Sequence, residues 1–178
     1  MNGLKGTVAF VYDADGWASR IAAKITKSRF SKAVVVVADN PILVLESTIW
    51  GPRVVSIRKY IRKGGDFVAY YPVAEEDRIA LEVCRVISTV RFRENRGLSP
   101  MVRRAWKATV NPGRRGLVAS EMACRYVRSF DGDIFPSWVN EKRGLSPSDL
   151  LLYVVGGGKR WKFIADFKRI VSMREALS

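Results

Sequence analysis

The first third of the chain alternates short apolar runs with turn residues. Gly6 to Tyr12 (GTVAFVY) follows a basic start and predicts a buried strand. Trp17 to Lys27 instead has helical spacing, with Trp17, Ile21 and Ile25 on one face. Ala33 to Ala38 (AVVVVA) is β-branched almost throughout and predicts a central strand. Asp39-Asn40-Pro41 supplies turn chemistry, so Ile42 to Ser47 (ILVLES) is expected to return as the second arm of a hairpin. Gly51-Pro52 interrupts the pattern, which resumes as a strand over Arg53 to Ile57. Gly64-Gly65 then precedes another strand, Asp66 to Tyr71 (DFVAYY).

From Glu75 the period changes. Ile79, Val83, Val86, Ile87 and Val90 recur at helical spacing behind an acidic first turn of Glu75, Glu76 and Asp77, where acids suit the helix dipole. Cys84 lies on or beside that apolar face and reads as a small buried hydrophobe. Arg91 to Arg115 is loop-rich and basic, and a second helix is expected from about Ser120 to Phe130. Leu151 to Val155 (LLYVV) reads as a closing strand, and Gly156-Gly157-Gly158 as a flexible joint. Lys159 to Leu177 reads as one basic amphipathic helix with a stripe of Trp161, Ile164, Phe167, Ile170 and Val171. The expected organisation is a domain over 1–155 and an appended joint and tail helix over 156–178. Strands joined by short turns, with helices kept apart from them, predict an α+β fold: a small antiparallel sheet or partial barrel packed against helices.

Charge sharpens this picture. In 178 residues, 31 Lys and Arg face 17 Asp and Glu, a net charge of +14. Such a surface attracts polyanions such as nucleic acid, anionic lipid headgroups or acidic cell-wall polymers. Histidine is absent, which removes the usual near-neutral base, Cys-His dyads and His-metal sites. The two cysteines, Cys84 and Cys124, have neither disulfide-framework nor zinc spacing, so no metal and no cofactor is expected. Gly156-Gly157-Gly158-Lys159-Arg160 lacks the spacing of a phosphate loop. No apolar run reaches the ~20 residues of a membrane span, and no signal peptide is seen. The expectation is a cytoplasmic or virion-associated protein. Arg103, Arg104, Lys107, Arg114 and Arg115, with Trp106 among them, form the candidate polyanion patch. The basic tail is a second candidate, for an anionic membrane surface or a partner.

Three segments in a particular order carry a family resemblance: Phe30-Ser31-Lys32-Ala33-Val34-Val35-Val36, then Val44-Leu45-Glu46-Ser47, then Gly116-Leu117-Val118-Ala119-Ser120-Glu121-Met122. Over about residues 4 to 152 the chain resembles the permuted NlpC-type papain-like cysteine hydrolases, the group that includes the YiiX and YaeF proteins. The flanking segments Asp66 to Pro72 and Leu145 to Leu150 (LSPSDL) agree with that order. The resemblance implies a permuted papain-like fold from a bacterial or phage source. It also implies thiol-dependent cleavage or transfer at an amide, ester or thioester of a peptide, lipid, acyl-protein or cell-wall substrate. The base position falls on Lys32, the orienting residue on Glu46 and the nucleophile on Ala119, with Ser120 and Glu121 at the helix start that holds the oxyanion.

That chemistry needs a thiolate favoured by a helix N-terminus, and an imidazole to move its proton. Ala119 has no nucleophilic atom, and Lys32 normally carries a proton at neutral pH. The chain is therefore expected to be inert in this reaction, through engineering or through natural drift to a pseudoenzyme. Lys32 and Glu46 are expected to form an ion pair across neighbouring strands. The alternative function is noncatalytic: binding a polyanion or a protein partner through the basic surface.

Overall fold

A computed structural model describes residues 3–12, 29–48, 51–94, 115–130 and 145–176, without the side chains of 89–94 and 115–120. The expected helix over Trp17 to Lys27 and most of the basic loop over 91–115 lie outside these residues. The fold is α+β. Among the described residues, six strands form one antiparallel sheet: β1 (Val8–Tyr12), β2 (Lys32–Asp39), β3 (Ile42–Thr48), β4 (Gly51–Ser56), β5 (Asp66–Pro72) and β6 (Trp161–Ile164). Their spatial order is β4-β3-β2-β1-β5-β6. A short helix, α1 (Arg58–Ile61), follows β4; α2 (Glu76–Glu94) and α3 (Arg115–Phe130) follow β5. The chain then runs through α4 (Pro147–Gly156), β6 and α5 (Phe167–Ala176).

Apolar residues on both sides of the central strands give the sheet two covered faces. Val34, Val35 and Val36 are completely buried, successive ones pointing to opposite faces. Burial of each such side chain contributes about 1.5–3 kcal/mol. One face carries Val8, Phe10, Ala33, Val35 and Leu45, under Val83 and Val86 of α2, Met122, Ala123, Tyr126 and Val127 of α3, and Leu150 and Val154 of α4. The other carries Ala9, Val11, Val34, Val36, Ile42 and Val44, under Ile57 and Tyr60 at α1 and Phe167 and Val171 of α5. Gly6 precedes β1 at φ +90, where a side chain would also strike Ile79 and the Tyr126 hydroxyl.

The hairpin at Asn40-Pro41 forms as its turn residues predict, with a cis peptide at the proline and a register shift between Val36 and Ala38. Three expectations need correction. Leu151 to Val155 is helical, because Ser146 and Asp149 form a capping box around Pro147 and start α4. The tail is not one helix. Trp161–Ile164 is an edge strand on β5, and a turn with Asp166 at φ 55 separates it from α5. Trp161 and Ile164 are buried on opposite faces of the sheet, which in sequence imitates helical i, i+3 spacing. Residues 161–176 thus belong to the sheet and core rather than to an appendage. Finally, Cys84 is exposed rather than buried.

Both extremities of the fold attach to the β2–β3 turn. Asp39 Oδ1 accepts the backbone N–H groups of Leu4 (2.6 Å) and Lys5 (3.0 Å), and Arg174 of α5 lies 3.8 Å from the same oxygen. Glu175 accepts the Ile42 N–H at 3.0 Å and pairs with Arg58.

Candidate anion site around Glu46

Antiparallel register builds the site. Glu46 on β3 stands between Val34 on β2 and Arg53 on β4. Lys32 lies two residues before Val34 and therefore on the same face. The chain turns into α1 directly after β4, which brings Lys59 and Tyr60 over the same spot. The expected pair of Lys32 and Glu46 is present, as part of a larger cluster.

The Glu46 side chain is fully buried, yet four side chains donate to it. Lys32 Nζ reaches Oε2 at 2.8 Å; Arg53 Nε and Lys59 Nζ reach Oε1 at 2.5 and 2.9 Å; the Tyr60 hydroxyl donates to Oε2. The ammonium groups of Lys32 and Lys59 also lie 6.0 and 5.4 Å from the Tyr60 ring centroid, within cation–π range. Burial by itself raises the Glu46 pKa. The hydrogen bonds from Lys32, Tyr60 and Lys59, with the Lys32 charge, outweigh it and bring the value from 4.5 down to about 2. A carboxylate held there is a fixed anion and a poor general base near neutral pH.

Three cations surround this single carboxylate, leaving two positive charges in excess. The acid lies beneath and the cations above: Lys32, Lys59 and Arg53 are 25%, 33% and 52% exposed, against 0% for Glu46. Each ammonium has three N–H donors and the guanidinium five, and Glu46 takes only one from each. The cluster therefore presents donors and net positive charge to solvent.

The other predicted residues are not gathered here. Met122 of α3 donates its backbone N–H to Ser47 Oγ at 3.0 Å, and Ser47 faces away from Glu46. The described side chains of α3 thus pack across the sheet from Lys32 and Glu46. Ala119 and Ser120 are helical, and their side chains lie outside the described residues. Ser120 and Glu121 lie within α3, five and six residues after Arg115. Glu121 pairs with Arg125 at 3.1 Å. Arg103, Arg104, Trp106, Lys107 and Arg114 lie outside the described residues, as does the side chain of Arg115. Among the described residues, no group of three or more acidic or Cys side chains could hold a metal ion. No helix among them is long and apolar enough to cross a membrane.

Sequence reasoning missed Arg53, Lys59 and Tyr60. The first was within reach: the pairing of Thr48 with Gly51 counts back to Arg53 opposite Glu46. Gly51-Pro52 reads as a break in sequence, although proline is tolerated on an edge strand such as β4. Lys59 and Tyr60 reach Glu46 through the turn into α1, which no local pattern announces.

No protein-family model matches this chain, and no curated protein sequence matches it.

Proposed function

We propose that this protein is a noncatalytic module that binds polyanions through its basic surface. The observation that carries the reading is the excess of two positive charges held around buried Glu46, on a chain whose net charge is +14. A fixed carboxylate that organises cations suits holding an anion better than moving a proton. The test is the salt dependence of binding to DNA, RNA and anionic liposomes. Affinity for at least one of them should fall steeply and linearly with salt on logarithmic axes, with a slope of roughly −0.7 to −0.9 per phosphate neutralised for nucleic acid. Absence of binding at low salt overturns the reading.

A second reading, a disarmed thiol hydrolase of permuted papain-like fold, is favoured by the 2.8 Å contact of Lys32 with Glu46. It requires position 119 to address the same face of the sheet as residue 32. The described part of α3 lies on the other face, so this reading ranks below the first.

A further inference from the structure

Two features of the Glu46 cluster go beyond a diffusely basic surface. The first is stoichiometric: three cations share one carboxylate, and the surplus of two charges matches one doubly charged oxyanion. A phosphate monoester carries about −1.5 to −2 at neutral pH, whereas a carboxylate or a backbone phosphodiester carries one charge. The second is positional. Bonds to Glu46 tether Lys32, Lys59 and Arg53 at their heads, so much of the cost of ordering three long side chains is already met. The Nε of Arg53 points inward to Glu46, while a side chain 52% exposed leaves the outer guanidinium edge facing solvent. That edge has the geometry for two parallel hydrogen bonds to a phosphate.

We infer that Lys32, Arg53 and Lys59 form a discrete site for a doubly charged phosphate group, with Glu46 beneath them as an internal counter-ion that sets their positions. The inference rests on the polyanion reading and narrows it to one site and one ligand charge. A binding anion leaves the bonds to Glu46 in place and uses the donors that point outward.

The experiment is a titration of the full chain with inorganic phosphate at constant ionic strength, with nitrate as the singly charged control. It is followed by thermal unfolding and by the Arg53 Nε–H resonance. Phosphate should raise the melting temperature saturably and shift that resonance, and nitrate should do neither. Arg53→Gln and Lys59→Gln should each raise the half-saturating phosphate concentration about ten-fold, the scale of one charge-assisted hydrogen bond. Lys162→Gln removes the same charge from exposed β6, at the opposite edge of the sheet, and should leave the titration unchanged. Equal weakening by all three variants, or an equal response to nitrate and phosphate, overturns the inference.

DNA binding by the same proteins separates this site from the broader reading. For the unmodified protein, DNA binding without phosphate binding overturns the discrete site alone, and absence of both overturns both. Oligonucleotides with a 5′-phosphate and a 5′-hydroxyl distinguish the ligand's source. A gain with the phosphorylated strand that Arg53→Gln removes assigns the site to strand ends. Equal binding of the two strands, with inorganic phosphate still bound, assigns it to free phosphomonoesters.

Discussion

Glu46 and Ser47 are consecutive in β3, both buried, and look out from opposite faces of the sheet. Ser47 faces the three helices α2 to α4 and takes one backbone N–H from Met122. Glu46 faces α1 and α5 and takes four side-chain donors, three of them charged. The Ser47 side encloses a neutral polar group within an apolar core. The Glu46 side is apolar over most of its area and ends in an ionic cluster that reaches solvent. A hydroxyl needs one partner to be tolerated in a core, whereas a carboxylate needs several and draws charge around it. Two adjacent residues thus turn one side of the sheet into scaffold and the end of the other into a candidate binding surface.

Glu46→Gln tests that contrast most strongly. It removes the negative charge and one of the two acceptor oxygens shared by four donors, and should cost on the order of 3 kcal/mol, at the low end of the range for a broken buried pair because the stranded cations can rehydrate. Chemical denaturation measures it, and a loss under about 1 kcal/mol would show the cluster to be structurally idle. Acid should reproduce the effect. The folded pKa of about 2 lies below the ordinary 4.5, so Glu46 contributes stability above about pH 4.5 that is lost as pH falls towards 2. The wild type should lose on the order of 3 kcal/mol more than Glu46→Gln across that window, as read from urea midpoints at each pH. Parallel curves for the two proteins would contradict the assignment.

On the opposite face, Ser47→Ala removes one neutral hydrogen bond and should cost about 1 kcal/mol by the same measurement. A loss as large as that of Glu46→Gln would erase the difference between the faces. The smallest expected effect is none. With Cys84 and Cys124 removed, Ala119→Cys should react with iodoacetamide as an ordinary thiol of pKa near 8.5, whether residue 32 is Lys or His. Reaction at lower pH only with Lys32→His would favour the hydrolase reading over the binding module.

The strands of the first half were legible because each is an apolar run rich in β-branched or aromatic residues near Gly, Pro, Asn or Asp, and short turns fix several of their neighbours. The pairing of Lys32 with Glu46 was expected from the family resemblance, which set the base and orienting positions on neighbouring strands. Beyond residue 145 the local signals were ambiguous. LLYVV is as apolar in a helix as in a strand, and only the Ser146–Asp149 capping box, a pattern of polar residues, decides between them. Trp161 and Ile164 resemble one helical face because a four-residue strand can bury its two ends on opposite sides. The remainder of the anion site was invisible to pattern because Lys59 and Tyr60 come from a single helical turn. Their role depends on where β4 releases the chain rather than on periodicity.

The two clamps on the β2–β3 turn bear on the order of the chain itself. Residues 4 and 5 are tied to Asp39 and residue 175 to Ile42, so the first and last described segments arrive at one pole of the molecule. Residues 4 and 175 are far apart in sequence, yet both bond to the ends of the one turn between β2 and β3. The topology therefore accommodates a ring, or a permutant that opens elsewhere, without re-pairing any strand.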